Sequence, residues 1–296
     1  MTDEGFDGLG VRFWGTRGSL PRPGPETLRF GGNTTCVEIR LGQRVFIIDA
    51  GSGVEAAGRD LLQRDIHDID ILLSHLHQDH VMGLPFFPPA LKATCAIQTY
   101  CGNLAGESAE AALDRMFAPP LFPVTLGQLP ARFTHRGFEA GTPLTFHDGI
   151  VVRTCLLPHP GGSTGYRFDH EGSSLCYISD LEHTPGSLDP ALVEFCRAVD
   201  LVIYDTMFTD KEFKACRGWG HSTLNAGVAL CKAAGAKALA GTHHHIGHTD
   251  TMLDAIDAEL QALLPGSFMA REGQVIRFGR NRASKRENMA AAGKRR

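Results

Sequence analysis

The stretch ILLSHLHQDH, residues 71–80, decides how the chain is read. Ile71 to Leu73 form an apolar run of strand length, and directly behind it stand His75, His77, Asp79 and His80. In extended chain, residues two apart point the same way, so His75, His77 and Asp79 can converge while His80 is directed differently. One loop can thus serve two neighbouring cations. Imidazole and carboxylate together suit Zn, Mn or Fe. A polar surface loop would seldom place these groups in a row behind a buried strand without a cation to unite them.

Further along, the same arrangement recurs as a strand ending in a potential ligand: LLPH at His159, YISD at Asp180 and ALAGTHHH at His243. A lone histidine after a strand is ordinarily a hydrogen-bonded surface residue. Recurrence behind the first cluster reverses that reading. Asp180 would fit as a bridge, since a negative oxygen between two metals lowers their mutual repulsion.

The rest of the chain fits a globular α/β protein. Of its 296 residues 43% are hydrophobic and 21% charged, and no linker divides it, so residues 1–278 are expected to form one domain. Strand-length runs occur at Val11–Trp14, Cys36–Ile39, Val45–Ile48, Val151–Leu157, Leu175–Ile178, Leu201–Tyr204 and Val275–Phe278. Helical patterns occur at Val54–Leu62, Ala109–Met116, Thr223–Ala234 and Thr251–Leu264, the last with Met252, Ile256, Leu260 and Leu263 on one face. Their order suggests two packed sheets covered by helices. Residues 85–141, with FFPP and APPLFP, read as an irregular insertion over one face, and 279–296 as a basic, disordered tail.

A net charge of −4 and a pI near 6.4 give no global attraction for nucleic acid, so an RNA partner is not favoured. The acidic start lacks a secretory pattern and no apolar run has membrane-spanning length, so a cytoplasmic protein without a membrane partner is expected. The eight cysteines are dispersed, without a CxxC pair, and read as reduced, buried small hydrophobes. A homodimer is left open.

SHLHQDH matches the HxHxDH motif of the metallo-β-lactamase fold superfamily, and the later residues occur in that superfamily's order across nearly the whole chain. WGTRGSLP (14–21), FGGNTTC (30–36), DAGSG (49–53) and GWGHST (218–223) resemble the branch containing ribonuclease Z and cyclic-phosphate phosphodiesterases. The resemblance implies an α/β fold, a four-layer αββα sandwich with the metals at one edge of the sheets. It implies two divalent ions, Zn before Mn or Fe. His75, His77 and His159 would hold the first, Asp79, His80 and His243 the second, and Asp180 would bridge. Related sequences show HHDP where this chain has HHHI, so the last ligand is sought at His243, then His244, then His245. Histidine at position 77, where oxygen-reducing diiron members carry Glu, implies hydrolysis rather than redox chemistry.

The expected activity is therefore hydrolysis of a small or cyclic phosphodiester by a metal-bridging hydroxide, with Asp79 orienting it. His221, in GWGHST ahead of a helix capped by Ser222, resembles a proton donor to the leaving oxygen; the alternative is a histidine packed on Trp219. Asp49 is a candidate to orient a ligand histidine, and Asn33, Thr34 and Thr35 to meet substrate; Asp205 reads as structural. Competing readings are ribonuclease Z-like tRNA 3′-processing, thioester hydrolysis, β-lactam hydrolysis and a silent metal-binding scaffold.

Overall fold

The structure, a computed structural model, describes residues 7–279. Its strands are β1 (Leu9–Gly15), β2 (Cys36–Leu41), β3 (Arg44–Ile48), β4 (Asp68–Leu73), β5 (Ala96–Gly102), β6 (Arg132–Phe138), β7 (Leu144–Thr145), β8 (Val151–Leu157), β9 (Ser163–His170), β10 (Ser173–Ile178), β11 (Leu201–Asp205), β12 (Leu239–Thr242), β13 (Phe268–Met269) and β14 (Val275–Phe278). The α-helices are α1 (Val54–Gln63), α2 (Gln78–Val81), α3 (Ala109–Met116), α4 (Pro190–Phe195), α5 (Asp210–Phe213), α6 (Leu224–Ala234) and α7 (Asp250–Leu263). The strands form two seven-stranded sheets, ordered β14-β1-β2-β3-β4-β5-β6 and β13-β12-β11-β10-β9-β8-β7.

The period of two along each strand builds the layers. On β3, Val45 and Ile47 face the layer shared with α1, whereas Phe46 and Ile48 enter the layer between the sheets. On β10, Leu175 and Tyr177 point between the sheets, while Cys176 and Ile178 pack with Val228 and Cys231 of α6 and Leu253 and Leu260 of α7. Strands buried on both faces read as continuous apolar runs, which makes them easy to find and their layering hard to infer. The architecture is the four-layer αββα sandwich.

Two expectations need correction. Residues 85–141 are not an irregular insertion: they contain β5 and β6, which continue the first sheet in parallel from β4. The prolines that break the pattern lie outside these strands, as in the 3-10 turn Pro88–Leu91. In α7 the expected face holds at Ile256, Leu260 and Leu263, but Leu253 completes it in place of Met252, which is exposed. All eight cysteines are free and six of them buried. Among the described residues no helix is long and apolar enough to cross a membrane. The expected basic tail lies outside the described residues beyond Gly279.

β3, β4 and β5 run parallel, as do β10, β11 and β12, so the carboxyl ends within each set lie at one edge of their sheet. In open α/β sheets this edge is where ligands bind.

Candidate metal centre

The candidate residues stand at strand ends: Asp49 after β3, His75 to His80 after β4, His159 after β8, Asp180 after β10, Asp205 closing β11 and His243 after β12. Asp49, Asp180 and His243 have φ of 59°, 60° and 59°. A left-handed backbone costs a non-glycine residue roughly 1–2 kcal/mol, and such strain gathers at functional sites because surrounding contacts enforce it. Here it turns each side chain back over the sheet edge.

The two sheets bring these groups together. His75 lies with ring centroids 4.3 Å from His77, 4.3 Å from His80 and 4.7 Å from His159. His159 Nε2 is 3.1 Å from His77 Nδ1. On the other side, His80 Nε2 lies 3.3 Å from both Asp79 Oδ2 and Asp180 Oδ2, and His243 Nε2 lies 3.4 Å from Asp180 Oδ1 and 3.7 Å from Asp79 Oδ2. One triad is thus His75, His77 and His159, another is Asp79, His80 and His243, and Asp180 touches both sides.

The arrangement fits cations. The buried Nε2 atoms of His75, His80 and His243 have no hydrogen-bond partner, an expensive state for polar atoms out of water. Their Nδ1 atoms are occupied on the outside: His80 donates to Asp49 Oδ2 at 2.8 Å, His75 to Ser74 Oγ at 3.1 Å and His243 to Thr35 Oγ1 at 3.3 Å. Likewise His159 Nδ1 donates to the Gly220 carbonyl at 2.8 Å. Such outer partners fix the tautomer that leaves an inward lone pair. Burial holds the pKa values of His75, His77 and His159 below the ordinary histidine range, which keeps them neutral. Burial acts the same way on His80, but Asp180, Asp79 and Asp49 outweigh it and raise its pKa, so positive charge is favoured there.

Asp49 meets its expectation as an orienting group. Its Oδ2 also accepts Ser74 Oγ at 2.9 Å and Tyr177 OH at 2.7 Å, and its Oδ1 accepts the Ser74 amide at 2.7 Å. An amide nitrogen placed among the three donors at Oδ2 would face hydrogens. Asp49→Asn is therefore expected to weaken metal affinity about 10–100-fold. Competition titration against a metal chelator measures this, and unchanged affinity would remove Asp49 from the role.

His221 reaches the same edge. Its Nδ1 donates to Asp205 Oδ2 at 2.8 Å and lies 3.6 Å from Asp180 Oδ1, and its ring stacks on His243 at 4.9 Å. Burial lowers its pKa, but Asp205, then Asp180 and Asp79, push it up to about 9. Asp205 is thus the partner of His221 rather than merely structural. Trp219 packs on Phe208 instead, and Phe208 lies against His221. The loop holding His221 is gripped by Glu182, whose carboxylate accepts the amides of Gly218 and Gly220 at 2.7 and 2.9 Å. A Cβ on Gly220 would stand 2.3 Å from His159 Nδ1, so glycine is required for the carbonyl to meet that ring.

Of the histidine triplet, only His243 faces the cluster. His244 is fully buried, donates Nε2 to the Ala270 carbonyl at 2.8 Å, and is held by burial down to about 3. His245 turns towards His248 and Glu212, where His248 Nε2 lies 3.0 Å from the carboxylate that caps α5. Thr34 and Thr35 are both buried, Thr34 accepting the Ser52 amide and Thr35 holding His243. Asn33 is engaged by Glu272 and Ser52. Sequence reading missed Glu182, Ser19, whose amide donates to Asp79 Oδ2 at 2.7 Å, and Arg17, a buried guanidinium donating to the carbonyls of Gly31, His245 and His248.

A family model described as beta-lactamase superfamily domain matches residues 44–244. Ribonuclease Z of Synechococcus sp. (strain CC9605) is 24% identical, over 88% of this chain and 95% of its own length. The solved metallo-beta-lactamase fold protein YhfI from Bacillus subtilis is similar with a TM-score of 0.70 at 19% identity, over 92% of this chain and all of its own. A diphosphatase from the PhnP family is similar with a TM-score of 0.66 at 19% identity, over 92% of this chain and 98% of its own.

Proposed function

The chain belongs to the beta-lactamase superfamily and is a metal-dependent hydrolase, and from that premise we propose that it cleaves a small phosphodiester. In this reading His75, His77 and His159 hold one divalent ion, Asp79, His80 and His243 the other, and Asp180 lies between them. Residues 1–278 act as one domain, a reading supported by the pairing of β1 with β14, Leu9 opposite Phe278. Zinc is the first choice of metal because imidazole nitrogen dominates the donor set, with manganese or iron next. Two such ions would supply a nucleophile at neutral pH and polarise the phosphoryl oxygen.

The observation that carries the substrate class is the Asp205–His221 pair beside the cluster. With Nδ1 committed to Asp205, the other ring nitrogen of His221 is left to give a proton to a leaving oxygen. An alkoxide needs that proton. A thiolate, with a pKa of about 8.5, leaves without it, so the pair would serve no purpose in thioester hydrolysis. Asp79, its Oδ2 fixed by the Ser19 amide, orients the attacking oxygen.

The relatives named ribonuclease Z make precursor tRNA the competing substrate. Long RNA contacts release counterions, so log kcat/KM would fall steeply with log salt. A chain of net charge −4 is expected to turn over small diesters faster than precursor tRNA, with weak salt dependence. Comparing kcat/KM for both substrates at two salt concentrations tests this, and a faster, strongly salt-dependent tRNA reaction would reverse the choice.

A further inference from the structure

The chain has two tryptophans, and they are treated in opposite ways. Trp14 is 8% exposed, donates Nε1 to Glu38 and carries the Arg12 guanidinium 3.7 Å from its ring centroid. Trp219 is 60% exposed. A ring that would gain roughly 1.5–3 kcal/mol from burial is held in solvent instead.

Its segment is fastened rather than loose. Gly218 and Gly220 flank it at φ of 86° and 85°, their amides both bound by Glu182, and the Trp219 amide donates to the Cys216 carbonyl at 3.2 Å. The indole meets Phe208 edge-on at 6.3 Å, and Phe208 meets His221 at 6.0 Å and His245 at 5.7 Å. The ring therefore stands two residues from the proton donor on a pre-ordered support. Exposed apolar side chains also mark the neighbouring loops: Leu20 follows Ser19, whose amide binds Asp79, and Ile246 follows His243 to His245. Single exposed apolar residues are ordinary on a surface, but these sit on loops that carry or touch the candidate ligands.

We propose that Trp219 is a stacking platform for a planar aromatic ring of the substrate, a nucleobase or another aryl group esterified to the phosphate. Stacking on an aromatic side chain contributes about 1–3 kcal/mol per base and tolerates any ring, and a support ordered beforehand loses little entropy on binding. The assignment rests on the phosphodiester reading for its reaction, but not for its binding.

With Trp14 buried, indole fluorescence of the metal-loaded protein reports contacts at Trp219. Uridine 5′-monophosphate and phenyl phosphate are expected to quench it saturably, and ethyl phosphate is not. Tighter binding of the uridine compound identifies a nucleobase, and equal binding any aryl ring. By calorimetry, Trp219→Ala should weaken both aromatic ligands about 5–100-fold and Trp219→Phe should restore most of the affinity. In turnover, the ratio of kcat/KM for phenyl p-nitrophenyl phosphate over ethyl p-nitrophenyl phosphate should fall by a similar factor in Trp219→Ala. Equal binding of ethyl and phenyl phosphate, or an unchanged ratio, would overturn the platform. If no diester is turned over while the quenching and its loss persist, the platform stands and the phosphodiester reading fails.

Discussion

Asp180→Ala is expected to bring the metal content from two ions per chain to well below one and to reduce hydrolysis to background. Asp180 touches both triads: Oδ2 faces His80 and Oδ1 faces His243 of the second, and its ligand atoms also group with His75 of the first. The carboxylate is buried, with Ser179 Oγ donating to Oδ2 at 2.8 Å. Burial alone would raise its pKa, but His243 and His80 lower it, so it is ionised and ready to sit between cations. Two divalent ions about 4 Å apart repel by on the order of 15 kcal/mol at an effective dielectric of about 20, which a shared anion offsets. Without it neither ion is held well. His77→Ala, at the half-exposed side next to His159, removes a donor from one triad only and is expected to leave about one ion per chain. Elemental analysis of both variants after reconstitution decides. Metal that binds only the native state at about 100 times Kd adds about 2.7 kcal/mol of stability. Reconstitution should therefore raise the Tm of the wild type and leave that of Asp180→Ala unchanged. Two ions retained in Asp180→Ala would refute the bridge.

The first cluster was legible because its residues fall within one short stretch, 75–80, directly behind Ile71 to Leu73, the apolar end of β4. His159, Asp180 and His243 were legible for the same reason, each closing a strand whose end faces the same edge. The choice within His243, His244 and His245 was open because it depends on a single backbone angle: positive φ at His243 turns its ring into the cluster and sends His244 into the core beside Phe30. Glu182 could not be read, since it acts on Gly218 and Gly220 far along the chain and no local pattern links them. The pairing of Asp205 with His221 was hidden similarly, because α5 and the glycine loop separate them. β5 escaped because Gln98 and Thr99 interrupt its apolar run; Thr99 is nevertheless buried, its hydroxyl paired with His135 at 2.7 Å. β6 escaped because it is an edge strand whose charged Arg132 and Arg136 mask the pattern and protect an open edge.

His221→Ala is expected to keep both metals and lose about 10²–10⁴-fold in rate on diesters with poor leaving groups, the usual contribution of a general acid. On a diester that releases a nitrophenolate the loss should shrink, because that oxygen departs without a proton. A ligand would behave otherwise: metal content would drop, and the rate would fall alike on both substrates. The acid must be protonated to act, so activity on the poor leaving group should decline as pH rises through the His221 pKa. The carboxylates of Asp205, Asp180 and Asp79 set that value at about 9, and cations bound beside the ring act in the opposite direction, so the alkaline limb should lie at or below about 9. Asp205→Asn removes the largest of the raising influences, so its alkaline limb should move to lower pH. Rate profiles for the wild type and Asp205→Asn, with metal content checked in the same samples, measure the shift. Equal losses on both leaving groups in His221→Ala, or an alkaline limb that Asp205→Asn does not move, would leave His221 as a residue that only positions its neighbours.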